Sequence, residues 1–278
     1  MRISIASGKG GTGKTLVATN LALSISDQPV HLLDCDVEEP NAHVFLQGDH
    51  IDQQVVHLPI PKVNQAKCQQ CSKCSDVCVF NAIALFDKII LTFDDLCHSC
   101  GACWHLCPHN AIEKIDKEIG AIDKTKVDNI TLITGKLKIG NHASPPLIKK
   151  VKGQCNDGGI NILDGPPGSS CPAMEAVEGT DYCVMVTEPT PFGLNDLRLA
   201  VDMVTALGVP CGVVINRDGP GNVGVLDYCR EKGIKLLMQI PMDDRIAKSY
   251  AKGTPLVKEE PAYRDKFNQL YQVILGEV

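Results

Sequence analysis

Gly8-Lys9-Gly10-Gly11-Thr12-Gly13-Lys14-Thr15 is the stretch that decides the fold of this chain. It fits G-x-x-x-x-G-K-S/T. Glycines at these positions let backbone N–H groups turn toward phosphate oxygens. Lys14 brings a point charge to β- and γ-phosphates, and the Thr15 hydroxyl is of the kind that ligates Mg2+. The flanks supply the context such a loop needs: Arg2–Ala6 alternates and reads as a short strand, and Leu16 to Ser26 reads as a helix.

Outward from this loop the same rhythm repeats. Val30–Leu33 is an apolar run ending in Asp34-Cys35-Asp36, Asn161–Leu163 ends in Asp164-Gly165-Pro166-Pro167-Gly168, and Cys183–Val186 ends in Thr187-Glu188-Pro189. Gly212–Ile215 runs into Asn216-Arg217-Asp218, and Leu236–Ile240 into Pro241-Met242-Asp243. Between them, Gly193–Leu207, Val223–Lys232 and a last segment with Phe267, Leu270, Tyr271, Ile274 and Leu275 have helical spacing; Ala143–Val151 also reads as a helix. Short apolar strands alternating with helices predict an α/β fold, a mostly parallel sheet with helices on both faces. Ligands of such sheets sit at the carboxyl ends of the strands, where the polar segments above fall.

Composition narrows the function classes. The chain has 278 residues, 44% of them hydrophobic, and 27 Lys plus Arg against 33 Asp plus Glu give a net charge of −6. That balance argues against binding nucleic acid through bulk charge. No apolar run approaches the roughly 18–20 residues of a membrane span. The opening MRISIASGKGG carries no apolar signal-peptide core, so a cytoplasmic chain is expected.

Fourteen cysteines are many for such a chain, and in a reducing compartment they point to metal ligands or buried thiols rather than disulfides. Eight fall between Cys68 and Cys107, in two copies of one pattern: 68, 71, 74 and 78 become 97, 100, 103 and 107 on adding 29. Asn81-Ala82-Ile83 likewise becomes Asn110-Ala111-Ile112. The runs C-x2-C-x2-C-x3-C are those of bacterial ferredoxins, in which three thiolates of one run and the fourth of the other hold each 4Fe-4S cluster. Cys68, Cys71, Cys74 and Cys107 are therefore expected around one cluster, and Cys97, Cys100, Cys103 and Cys78 around the other. Zinc, which favours four ligands in spaced pairs, fits eight crossed cysteines poorly. Two clusters of about −2 each would take the charge to about −10. The expected organisation is a phosphate-binding domain over 1–58 and 117–278 with a ferredoxin insert over 59–116, residues 117–140 linking back as a hairpin. Val79 stands where the second run has Pro108, and His98, Trp104, His105 and His109 beside that run are read as packing or surface residues. Cys35, Cys183, Cys211 and Cys229 read as core.

Lys9, a second lysine directly after the first glycine, makes the loop K-G-G-x-G-K-S/T. The chain thereby resembles the deviant Walker A ATPases of the MinD/ParA/Mrp and nitrogenase iron-protein class, in the version that contains an inserted ferredoxin domain. Asp34-Cys35-Asp36-Val37-Glu38-Glu39-Pro40-Asn41 is similar to the class's switch I, D-x-D-x-x-x-P-N, and Asp164 to Gly168 to its Walker B strand running into switch II. Asn216-Arg217 stand where the class reads adenine, and Pro241-Met242-Asp243 match its late base-contacting segment. The resemblance implies ATP and Mg2+ as ligands, slow hydrolysis and nucleotide-dependent dimerisation with a copy or a paralogue. It implies nucleotide contacts from Gly8, Lys9, Gly10, Gly11, Thr12, Gly13, Lys14, Thr15, Asn216, Arg217, Pro241 and Asp243, and catalytic work by Lys9, Lys14, Asp36 and Asp164. Asp36 would orient the attacking water and Asp164 would hold Mg2+ through water. Gly168 would sense the γ-phosphate, and Lys9 would reach the partner's nucleotide.

Cys171, seven residues after Asp164, resembles the cysteine with which the nitrogenase iron protein holds a cluster across its dimer. The second cysteine of that arrangement falls near position 136, where this chain has Lys136, and Cys155 is out of register, so Cys171 is read as a buried or redox-active thiol at a helix N-terminus. The last helix carries only Arg264 and Lys266 as cations and reads as a packing helix, unlike the basic membrane helix of MinD. Three classes of function follow: a redox protein whose ATP state gates electron transfer with a partner protein, a MinD/ParA-like positioning ATPase with structural or sensing clusters, and an iron–sulfur cluster carrier. The carrier relatives use a late C-x-x-C, and none follows residue 107 here.

Overall fold

The computed structural model describes residues 1–219 and 224–278. Its eleven strands are β1 (Arg2–Ala6), β2 (Val30–Asp34), β3 (Asp49–Val63), β4 (Ile83–Phe86), β5 (Ile89–Thr92), β6 (Ile112–Val127), β7 (Ile130–Leu137), β8 (Ile160–Asp164), β9 (Tyr182–Thr187), β10 (Cys211–Asp218) and β11 (Lys235–Pro241). Nine form one sheet in the order β11-β10-β9-β1-β8-β2-β7-β6-β3, and β4 pairs with β5 alone. From β11 to β7 every neighbouring pair is parallel.

The chain divides into two compact units. The first comprises Met1–Gln53, Ile122–Lys136 and Ile148–Val278. Its central strands are buried on both faces, which is why β8 and β9 read as unbroken apolar runs rather than alternating ones. The helix Lys14–Ser24 is buried on nearly all sides, between the sheet and the C-terminal helix Ala262–Leu275. Its polar residues are satisfied in place: Thr19 Oγ1 donates to the Thr15 carbonyl (2.6 Å), and Asn20 Oδ1 accepts from the Val257 N–H (2.9 Å). The C-terminal helix buries Tyr263, Phe267, Leu270, Tyr271 and Ile274. Leu275, expected in that stripe, is 42% exposed, and Tyr263 takes the place one turn earlier. The expected helix Gly193–Leu207 is Pro191–Ala206, and Ala143–Val151 is Ser144–Lys152. The expected helix from Val223 is described from Gly224, Val223 lying outside the described residues. Among the described residues no helix is long and apolar enough to cross a membrane.

The second unit comprises Gln54–Ala121 and Leu137–Leu147. The expected boundaries at 59 and 116 fall inside strands β3 and β6. Pro59 and Pro61 read as a break, yet they lie two residues apart in β3, the last strand of the sheet, where a missing N–H is tolerated on the outer side. The segment Leu137–Leu147, assigned from sequence to the larger domain, also belongs to this unit.

The 29-residue repeat is structural as well as sequential. Left-handed backbone recurs at Gln70 and Ser99, at Ser72 and Gly101, and at Asn81 and Asn110. The lead-in to each half pairs with the other half: the Asn64 N–H donates to the Ala111 carbonyl (2.7 Å), and the Phe93 N–H to the Ala82 carbonyl (2.8 Å). Ile83, Ile90 and Cys103 form a small core with Trp104, Cys68, Cys74 and Cys78 packed on it.

Candidate functional site

In the first unit the carboxyl ends of β2, β8, β9, β10 and β11 converge on the loop between β1 and the helix Lys14–Ser24. That loop is built on close approaches only glycine permits. A Cβ at Gly8 would lie 2.1 Å from the Asp196 carbonyl oxygen, and one at Gly13 would lie 2.3 Å from Asn216 Nδ2. Gly11 and Gly13 are also left-handed, at φ of 76° and 98°. Asn216 Nδ2 donates to the Thr12 carbonyl (2.8 Å), tying the loop to β10.

Beside the loop lies a cavity of about 430 Å3. Of the expected site residues, Gly10, Gly11, Gly13, Lys14, Thr15, Asp36, Asn216, Arg217, Pro241 and Asp243 line it; Gly8, Lys9, Thr12 and Asp164 do not. Asn216 and Arg217, expected after a strand, lie inside β10, Arg217 with a left-handed φ of 54°. Asp243 caps the helix Asp244–Ala251, its carboxylate accepting from the Arg245 N–H (2.8 Å).

Asp34 and Asp164 are in register across β2 and β8 and are fully buried. Burial, and then the neighbouring carboxylate, pushes the Asp34 carboxyl well above the usual range. Its Oδ2 accepts from the N–H groups of both Asn41 and Ala42 at 2.9 Å, so it braces the loop that follows β2. Burial pushes Asp164 up to about 7. Thr15 Oγ1 donates to Asp164 Oδ2 (2.6 Å), while Asp164 Oδ1 is buried without a hydrogen-bond partner among the described residues. An orphaned carboxylate oxygen next to a threonine hydroxyl and a phosphate-binding loop is a donor set suited to Mg2+. Asp36 is raised to about 6, by burial first; Lys14 opposes the shift, and Glu39 and Glu38 add to it. Burial lowers Lys14, whose ammonium donates to Ser7 Oγ at 3.0 Å. The Gly168 N–H donates to the Ser7 carbonyl (2.9 Å), linking the loop after β8 to the phosphate loop.

Within this scaffold the chain matches the CobQ/CobB/MinD/ParA nucleotide-binding domain over residues 3–256. It belongs to that family. Among its relatives is an uncharacterized protein of Methanocaldococcus jannaschii, 33% identical, the match covering 98% of this chain and 95% of that protein. An iron–sulfur cluster carrier protein of the same organism is 24% identical over 100% of this chain and 84% of its own length. The septum site-determining protein MinD of Pyrococcus horikoshii, solved with Mg-ADP, superposes with a TM-score of 0.61 at 21% identity, covering 97% of this chain and 93% of that one; this likeness is one of fold.

Sequence reading did not single out Ile246, Ala247 and Tyr250, which line the cavity, and gave Glu188 no role. Glu188, at the end of β9, accepts from the Lys9 ammonium on one oxygen and from the Arg217 guanidinium on the other (3.1 Å). Nothing local signals this, because Lys9 is 179 residues away in the chain.

The second unit has two hollows. Cys68, Cys71, Cys74 and Cys107 line one, with Lys73 and His109 at its margin. Cys78, Cys97, Cys100 and Cys103 line the other, with Phe80, His98 and Trp104. Each hollow thus draws three cysteines from one run and one from the other. The Ala82 N–H donates to Cys78 Sγ and the Ala111 N–H to Cys107 Sγ, both at 3.3 Å and again 29 residues apart. Among the described residues no three His, Cys, Asp or Glu side chains converge closely enough for a single metal ion. A 4Fe-4S cube spreads its four thiolates wider than one ion does, so the donor set suits a cluster better than zinc.

All fourteen cysteines are free thiols. Cys35, Cys183 and Cys229 are buried, and Cys211 is half-buried. Cys171 is exposed at the start of the helix Cys171–Val177, and Lys136 is paired with Asp123 at 2.7 Å.

Proposed function

We propose that this chain is an ATP-binding and ATP-hydrolysing iron–sulfur protein in which nucleotide state gates dimerisation and electron transfer to or from a partner protein. The observation that carries the reading is the crossed composition of the two thiol hollows, in a chain whose other unit has a cavity beside its glycine-rich loop. Neither the hollows nor the cavity has, on its own, any need of the other.

The nucleotide part follows from the residues. Lys14 and the loop N–H groups hold the phosphates. Thr15 and Asp164 hold Mg2+, which neutralises charge on the phosphates when bound. Asp36 orients water toward the γ-phosphate, the principal demand of phosphoryl transfer. Asn216, Arg217, Pro241 and Asp243 contact the base. The second unit acts as a ferredoxin-type module: Cys68, Cys71, Cys74 and Cys107 hold one 4Fe-4S cluster, and Cys97, Cys100, Cys103 and Cys78 the other. The clusters supply one-electron chemistry when bound, and the Ala82 and Ala111 N–H bonds to sulfur tune it. Eight cysteines as cluster ligands and six as thiols suit a reducing, cytoplasmic setting. Neither nucleic acid nor membrane is a fitting partner for so acidic a chain.

Anaerobically purified protein is expected to hold about eight iron and eight sulfide per chain. Its reduced clusters are expected to pass electrons to an artificial acceptor at different rates with a non-hydrolysable ATP analogue and with ADP. Equal rates would remove the gating, and zinc in place of iron would remove the clusters. A second reading has one observation behind it, the relative named as a cluster carrier. Transfer of clusters to an apo-acceptor would favour it.

A further inference from the structure

The 29-residue repeat gives each thiol hollow an internal reference. Lys73 in the wall of the first hollow corresponds to Ala102 in the wall of the second, and His109 in the first to Phe80 in the second. The backbone repeats with them, left-handed at Gln70 and Ser99 and at Ser72 and Gly101, and so do the N–H bonds to the sulfurs of Cys78 and Cys107. What the two sites share cannot set them apart, but the side chains that break the repeat can.

Those side chains differ in charge. With His neutral, Lys67 and Lys73 against Asp76 leave +1 over 65–78, whereas Asp94 and Asp95 leave −2 over 94–107. Asp94 opens the turn Asp94–Leu96, and its carbonyl accepts from the Cys97 N–H (3.3 Å); the first half has uncharged Gln65 at that place. Asp95 is offset by Lys117 at 2.5 Å. The sites differ in dryness too. Trp104 lines the second hollow, where Phe80 stacks on His98 with ring centroids 4.0 Å apart. Cys103 is buried, and its counterpart Cys74 is half-buried. Two features work the other way: the Ser99 N–H donates to Cys97 Sγ (3.4 Å), and Lys114 Nζ lies 5.2 Å from the Trp104 ring centroid.

We propose that Lys67 and Lys73 on one half of the repeat and Asp94 on the other set the two sites apart in reduction potential, so that the first electron rests at Cys68, Cys71, Cys74 and Cys107. The inference rests on the two clusters proposed above. Reduction adds one negative charge to a site. A cation in its wall favours that charge, a carboxylate opposes it, and a dry aromatic wall opposes it as well. Lys67, Lys73 and Asp94 are exposed, so each acts through water and the effect is their sum. An electron held at Cys97, Cys100, Cys103 and Cys78 is then the more strongly reducing one, and that site is the donor to a low-potential acceptor.

The test is a potentiometric titration of the anaerobic holoprotein with dithionite as electron donor, read by the paramagnetic resonance of the reduced clusters. Two one-electron waves are expected, apart by at least about tenfold in occupancy, which is about 59 mV. Repulsion between two added electrons separates waves even at matched sites, so the substitutions decide. Lys73→Ala is expected to lower the upper wave by about threefold in occupancy and to leave the lower one, Lys73→Arg to leave both, and Asp94→Asn to raise the lower wave alone. Asp94 lies outside the cysteine runs, so its variant serves if Lys73→Ala loads poorly. Added salt is expected to narrow the split. At matched sites the pattern exchanges: Lys73→Ala lowers the lower wave and Asp94→Asn raises the upper. That pattern, or waves that neither substitution moves in a chain holding about eight iron, overturns this inference alone. A chain that takes up no clusters overturns the cluster reading and this one together.

Discussion

At the scale of single residues the site is a contest between burial and charge. Asp36 sits at about 6 because burial outweighs the pull of Lys14. In the role proposed for it, orienting water, it would work as a carboxylate, so kcat/KM for ATP hydrolysis, which reports the free enzyme, is expected to fall as pH drops through about 6. Asp36→Asn is expected to retain nucleotide binding and to lose hydrolysis by at least about a hundredfold, without that pH limb. Steady-state rates between pH 5 and pH 8 check both. Asp164 gives a second prediction with the opposite sign. Its folded value, about 7, lies above that of an unfolded aspartate, so the folded chain binds the extra proton. Its stabilising contribution is therefore complete at low pH and is lost as pH rises through about 7. Without nucleotide, Asp164→Asn is expected to melt several degrees above wild type at pH 8, and to lose most of the stabilisation that Mg-ATP confers on wild type. A melting series with and without Mg-ATP decides it; a variant that melts below wild type in the apo state would contradict the buried-charge account.

At the scale of elements, the glycines of the phosphate loop are contact surfaces as much as hinges. Gly8→Ala puts a methyl 2.1 Å from the Asp196 backbone, which no side-chain rotation relieves. Overpacking of this kind costs about 1–3 kcal/mol, so nucleotide affinity is expected to fall by roughly tenfold or more, as equilibrium titration with a fluorescent ADP would measure. The same elements show what a sequence can and cannot disclose. The parallel core was legible because strands buried on both faces, such as β8 and β9, leave continuous apolar runs, and because Asp34, Asp164 and Asn216 mark where each strand reaches the site. Strand β3 was not legible. It lies at the sheet's edge, seven of its first eight residues are exposed, and it carries two prolines, so neither alternation nor a continuous apolar run announces it. Glu188 was illegible for another reason: its meaning lies in Lys9 and Arg217, which only the adjacency of β1, β9 and β10 brings to it.

At the scale of the whole molecule, the chain inserts a duplicated thiol unit into a nucleotide-binding fold, and the duplication explains the crossing. The Asn64–Ala111 and Phe93–Ala82 hydrogen bonds make each half complete the other, so the last cysteine of each run lands beside the first three of its neighbour. A crossed ligand set is distinguishable from a sequential one by pairing substitutions. In the crossed arrangement Cys68→Ser and Cys107→Ser damage the same cluster, and the double variant is expected to keep about four of eight iron atoms. Cys68→Ser with Cys78→Ser strikes both clusters and is expected to leave neither intact. If each run held its own cluster, the outcomes would exchange: the 68/78 pair would spare one cluster and the 68/107 pair would spare none. Iron content and the signals of the reduced clusters separate the two arrangements, and the nucleotide cavity lets the same samples report on folding. Retained ADP binding in both double variants is expected, since Lys14, Thr15 and Asp164 belong to the other unit.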